Sequence, residues 1–167
     1  MRSIFVLVSL AAMTTVGGLA KAPLAIASDT SYSFELTGPN TAMAESGPFA
    51  GDTIRVTGGG SFDAEAGTIT ASGGFTHIKA DGSVFARGTW IAEGFTSFLA
   101  FGGPNPGTQG GYLQFTVTFM VKGVPVLTNL PMAVTCVVNA PPGYEEGITV
   151  GDFTESTGGT TLIHLNF

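Results

Sequence analysis

Cysteine, histidine, tryptophan and positive charge are all scarce here: one Cys, two His, one Trp and six Lys plus Arg in 167 residues. A lone thiol, Cys136, excludes an intrachain disulfide. With two isolated histidines, His77 and His164, it gives no short ligand spacing for a transition metal. Six basic against twelve acidic residues set a net charge of −6, which repels phosphate backbones and anionic membrane surfaces. Nucleic acid is therefore no partner on this reading. Charged residues are only 11% of the chain and the acids are scattered, which argues against a disordered acidic tail. No G-x-S-x-G elbow occurs, no glycine-rich loop leads into a helix, and no apolar pattern of helical period is sustained. Catalytic residues, metal ligands and cofactor sites are accordingly not assigned.

What is present begins with an export signal. Arg2 precedes the apolar run "IFVLVSLAAMTTV", which is short for a bilayer span and is interrupted soon after by Lys21. Ala25-Ile26-Ala27 has the small-x-small form that a signal peptidase reads. Residues 1–27 are thus expected to be a signal peptide, with a secreted or periplasmic chain from residue 28 and no membrane span in the mature protein. Loss of Arg2 and Lys21 makes that chain still more acidic. Its length suits one domain with a real core.

The remainder reads as strands. Runs rich in Thr, Val, Phe and Ile alternate with polar residues and end at Gly, Asp or Asn. Strands are expected near 30–37, 52–62, 67–78, 83–93, 95–101, 111–121, 124–138, 148–154 and 160–166. Long loops are expected at "GGPNPGTQGG" and "NAPPGYEEG". Short turns between consecutive strands make an antiparallel meander, which must roll up to hide its edges. The expected fold class is all-β, an antiparallel barrel of about eight strands, with a β-sandwich as the alternative. Residues 28–167 form one domain.

Turn chemistry proposes registers. Asp81-Gly82 suits a two-residue type I′ turn, which pairs His77 with Ala86, Phe75 with Gly88 and Gly73 with Trp90. A four-residue turn from Ala64 to Gly67 pairs Phe62 with Ile69, Gly60 with Ala71 and Gly58 with Gly73. The two registers agree. Together they place Ile54, Val56, Phe62, Ile69, Ala71, Phe75, Ala86, Trp90 and Ala92 on one face. Arg55, Thr57, Ser61, Thr68, Thr70, Ser72, Thr76, Arg87, Thr89 and Glu93 fall on the other. A slip of one residue would mix the sets. About Lys122-Gly123, the same logic sets Leu113, Phe115, Val117, Phe119 and Val121 opposite Met132, Leu130, Thr128, Val126 and Val124. Gly58 and Gly73 then lie side by side on the apolar face with Trp90 over them. There a glycine leaves a gap that an aromatic ring fills, rather than a cradle for phosphate.

The chemistry-bearing residues admit plain readings. Cys136 shares parity with Met132 and Val134 and reads as a buried structural thiol. His164 alternates away from Ile163 and Leu165 toward a polar surface. Asp63, Glu65, Glu145 and Glu146 read as solvated turn acids. Arg55 and Arg87 flank Thr76 on the polar face, either as an anion site or simply as solubilising charges. The small row Gly60, Ala71, Ala92 marks either close packing or a cavity. If a cavity exists, Trp90 and Phe75 are its expected walls and His77 its polar contact, a combination suited to a small apolar or aromatic ligand.

In texture, "GSFDAEAGTITASGGFTHIKADGSVFARGTW" and "PGTQGG" resemble small exported bacterial all-β proteins. That resemblance implies export and fold and brings no function with it. The "G…F…ARG" pattern resembles the barrels of dirigent and allene-oxide-cyclase proteins, which implies a barrel by analogy. Three functions follow as expectations. The first is a non-catalytic exported barrel that binds an apolar or aromatic ligand. The second is a structural or interaction module with a filled core and contacts on the 102–110 and 139–147 loops. The third is a cyclase or isomerase, which a buried His or carboxylate in the cavity would favour. The oligomeric state is not readable from the sequence.

Overall fold

A computed structural model describes residues 31–105 and 107–166. The segment read as a signal peptide lies outside the described residues. Within them the chain is nearly all strand: β1 Ser31–Met43, β2 Thr53–Asp63, β3 Thr68–Ile78, β4 Val84–Asn105, β5 Thr108–Val121, β6 Val124–Cys136, β7 Gly147–Val150 and β8 Glu155–Leu165. A single 3₁₀ turn, Gly47–Phe49, sits in the β1–β2 connection. All eight strands pair antiparallel in one sheet, in the order β4-β3-β2-β1-β8-β5-β6-β7, and β4 also pairs with β5. That extra pairing closes a ring of six strands, from which β6 and β7 continue as an extension. The fold is all-β and barrel-like, as expected, with six of its eight strands forming the closed part.

The alternation in β2, β3 and the first half of β4 survives in full. Ile54, Val56, Phe62, Ala71, Phe75 and Trp90 are buried, while Arg55, Thr57, Ser61, Thr70 and Arg87 face solvent. The Gly58–Gly73 and Gly73–Trp90 pairings are both present. Trp90 is fully buried, and its indole N–H donates to the Thr57 carbonyl at 2.9 Å. A Cβ on Gly73 would collide with that carbonyl and stand 2.7 Å from the indole nitrogen. Gly58 adopts φ +125°, a conformation open to it at little cost because it has no Cβ. Gly73 makes room for the indole, and Gly58, where a Cβ would strike the backbone of Ser72 and Gly73, makes room for β3. Burial of each Phe or Leu in this core, with Leu113, Phe115 and Phe119 nearly inaccessible, contributes about 1.5–3 kcal/mol relative to exposure.

Three registers differ from expectation. The β3–β4 turn is not type I′, since Gly82 has positive φ at +84° but Asp81 does not. Gly82 N–H donates to Lys79 O and Lys79 N–H to Ser83 O, which pairs Ile78 with Val84. A bulge at Phe85 then cancels the shift, so His77 still meets Ala86. Asp81 accepts the Ser83 N–H at 2.8 Å, and the Ser83 hydroxyl with that amide holds its carboxyl below the ordinary aspartate range. Next, the glycine-rich 102–110 segment is no long loop. β4 runs to Asn105, which pairs with Thr108, and four register shifts let it absorb what read as two strands. Lastly, β5 and β6 begin as expected at Val121–Val124, with Lys122 and Gly123 both at positive φ. Two further shifts then move Phe115 opposite Met132 and Leu113 opposite Val134. Two shifts preserve parity, so Met132, Val134 and Cys136 remain buried.

Ring closure uses few ladder bonds. One edge of β5 pairs with β4, while the other meets β8 only at Gln109–Ile163 before β6 takes over. Glu146 spans the resulting seam. Its carboxylate accepts the N–H of Val137 at 2.8 Å and that of Thr161 at 2.6 Å. The Thr161 hydroxyl lies 2.6 Å from both Glu146 Oε1 and Thr135 O and donates its one hydrogen between them. The Ser156 hydroxyl donates to the Glu146 carbonyl. Glu146 therefore is not a solvated turn acid but a clasp between β6 and β8. Asp63 is also engaged, accepting the N–H groups of Glu65 and Ala66.

Two outcomes follow from this packing. Gly73→Val is expected to lower stability by about 1–3 kcal/mol through overpacking, with a shift in Trp90 emission, as read by urea unfolding. Unchanged emission and midpoint would contradict the described stacking. Glu146→Ala strands the amides of Val137 and Thr161, at a cost of about 1–3 kcal/mol. Hydrogen exchange should accelerate first at those two amides; uniform protection would show that the seam does not depend on this carboxylate.

Candidate apolar cavity at one end of the ring

At the end of the ring where the β1–β2, β3–β4, β5–β6 and β7–β8 connections gather, the interior opens into a cavity of about 350 Å³. Its floor is the stacked pair Phe75 and Phe119, with ring centroids 4.5 Å apart. Phe75 can lie flat there because it is paired with Gly88, where a Cβ would approach the Phe75 ring to 2.8 Å. Phe49 from the 3₁₀ turn and Phe153 from the β7–β8 connection stack on each other at 6.2 Å and form one wall. Ile54, Ala86, Val121, Leu130 and Val150 fill in the sides. The volume falls in the lower part of the range for small-molecule sites, about 300–1,000 Å³.

His77 is the polar feature of this wall. It is 8% exposed, on the inward face of β3, and its Nε2 lies 2.7 Å from Asp52 Oδ2. The other carboxylate oxygen of Asp52 accepts the Ala80 N–H at 2.9 Å, which fixes the acid. A carboxylate can only accept from a neutral ring through an N–H, so the pair sets Nε2 as the protonated nitrogen. Rings of Phe49, Phe85 and Phe153 meet the imidazole at steep angles, with centroids 5.3, 4.8 and 5.2 Å away. The imidazole is thus boxed by aromatics and tied on one side to an acid.

The mouth is apolar on its outer surface too. Phe85, Val126 and Leu127 line the cavity and yet are 58%, 51% and 50% exposed. Each sits at or beside a register shift: Phe85 is the β4 bulge, and Val126 and Leu127 follow the first break in the β5–β6 ladder. The shifts turn these side chains outward from the ladder while leaving them on the rim.

Of the three residues expected to line a cavity, Phe75 and His77 do so. Trp90 does not; it lies deeper, against Phe115 at 6.1 Å, within the packed core. The row Gly60, Ala71, Ala92 borders no part of this cavity, and a Cβ on Gly60 would strike the Thr70 carbonyl and Ala71 on β3. Asp52, Phe49 and Phe153 were not singled out from the sequence. Extending the β2–β3 register by one step past Thr53–Ile78 brings Asp52 to the end of β3 beside His77, and that signal was available.

The other chemistry-bearing residues stay apart. Cys136 is a buried free thiol. His164 Nδ1 lies 2.7 Å from the Gly107 carbonyl and ties β8 to the β4–β5 hairpin. Arg55 and Arg87 do flank Thr76, on an exposed face. Among the described residues, no three His, Cys, Asp or Glu side chains converge as a metal site would require, and no helix is long and apolar enough to cross a membrane. No protein-family model, no curated protein and no solved structure matches this chain.

Proposed function

We propose that this chain is an exported, non-catalytic barrel-like protein that holds one small apolar or aromatic molecule at the open end of its ring. The observation that carries the reading is the coincidence of an aromatic-walled cavity with an exposed apolar rim around the same opening. A buried void alone is a packing defect, and scattered surface apolar residues need no explanation. Joined at one mouth, they offer a small molecule both entry and burial. His77 supplies one oriented hydrogen-bonding nitrogen, enough to orient a flat ligand and too little for a sugar or a phosphate.

The His77–Asp52 pair favours a second reading, a barrel enzyme of the cyclase or isomerase type, in which the imidazole moves a proton on the bound molecule. Exchange of solvent deuterium into 2-indanone by the wild-type protein, lost in His77→Gln, would transfer the assignment to that class. The interaction module with contacts on its loops is the remaining competitor.

N-phenyl-1-naphthylamine, a neutral dye that brightens in apolar surroundings, is expected to bind saturably at one site per chain. Ala86→Leu, which places three more carbons in the cavity wall, is expected to weaken that binding at least tenfold with little change in the unfolding midpoint. A dye response that is not saturable, or one unaffected by Ala86→Leu, would leave the interaction module as the better account.

A further inference from the structure

We infer that the preferred occupant of this cavity is an organic cation, a small aromatic or aliphatic ammonium. The inference rests on the cavity being a ligand site, as proposed above, and adds its charge. Five phenylalanine rings line the space: Phe49, Phe75, Phe85, Phe119 and Phe153. The face of each ring carries partial negative charge, which attracts a cation and repels an anion. The acidic side chain in the lining is Asp152, Asp52 stands behind the lining on His77, and neither arginine nor lysine is among the lining residues.

The two acids differ in their freedom. Asp52 is pinned by His77 and by the Ala80 amide, so it contributes a fixed negative charge behind the imidazole. Asp152 is exposed in the β7–β8 connection, at the mouth. The structure also places an ammonium on one of these rings: Lys79 Nζ stands 5.3 Å from the centroid of Phe85. A chain of net charge −6 adds a long-range field of the same sign. An anionic ligand would meet the Asp152 carboxylate at the mouth and ring faces of like sign. A neutral one would gain apolar burial alone. The cation gains both.

The test is a set of three ligands of nearly one shape: naphthalen-1-ylmethylammonium, naphthalen-1-ylmethanol and 1-naphthoate, each titrated by calorimetry at low salt. The ammonium is expected to bind about tenfold tighter than the alcohol, with the naphthoate weakest. Asp152→Asn should reduce the ammonium's advantage about threefold and leave the alcohol unchanged. Phe85→Leu, which removes a ring and keeps an apolar side chain at the mouth, should act the same way. Alcohol or naphthoate binding as tightly as the ammonium overturns the inference and leaves the apolar ligand site standing. If none of the three binds, the cavity reading falls and this inference with it.

Discussion

A ring of six strands is too narrow for a lumen. Eight strands enclose an interior that side chains just fill, and six enclose less. This chain nevertheless places a tryptophan in the middle of its ring. It can do so because the inward position paired with it is a glycine, Gly73, which surrenders volume that the ring system takes up, while Gly58 lets β2 and β3 come together behind it. The Trp90–Thr57 hydrogen bond satisfies the one polar atom the indole brings inside. With the waist filled around Trp90, an apolar opening of about 350 Å³ remains at the end where four connections meet instead of continuous strand. The position of the candidate site is a consequence of the narrowness of the ring.

The part of the fold governed by period two was legible. Two independent turns agreed on which side chains of β2, β3 and β4 face inward, because every mistake in register would have exposed Val56, Phe75 or Trp90. The same constraint explains why a wrong turn type still gave the right pairing: the chain recovers through a bulge at Phe85, since burying the aromatic face outweighs the geometry of four turn residues. Glycine-rich stretches were less legible. A ladder needs only backbone groups, so Gly102, Gly103, Gly110 and Gly111 can lie in strands while composition suggests a loop. The β6 bulges left little trace in advance beyond Pro125, Pro131 and Asn129, which has φ +56°. Half of the candidate site was within reach: Phe75 and His77 follow from alternation. Phe49 and Phe153 come from connections, whose place depends on tertiary closure and not on any local pattern.

The open end is made of departures from regular pairing, and each departure leaves apolar surface uncovered. Ordinarily a free strand edge beside such surface invites another chain. β7 pairs only with residues 132–135 of β6, so the earlier part of β6 keeps an edge that β7 does not cover. That stretch carries Pro125 and Pro131, which have no N–H to donate, and a left-handed kink at Asn129. Side chains on the rim are thus available to a ligand, while the backbone beside them is a poor template for strand addition.

Closure of the ring joins Tyr32 to Leu165 and Glu35 to Leu162, pairs separated by nearly the whole described chain. Such contacts demand the entropy of a very long loop before they return anything, and sheets built this way fold slowly. During synthesis β1 emerges first and waits for β8, which emerges last. Until then β2, β3 and β4 can form a meander whose Trp90 face has no opposite wall. A chain that still lacks β8 can therefore reach hairpins but not the closed ring, which forms only when β1 and β8 meet.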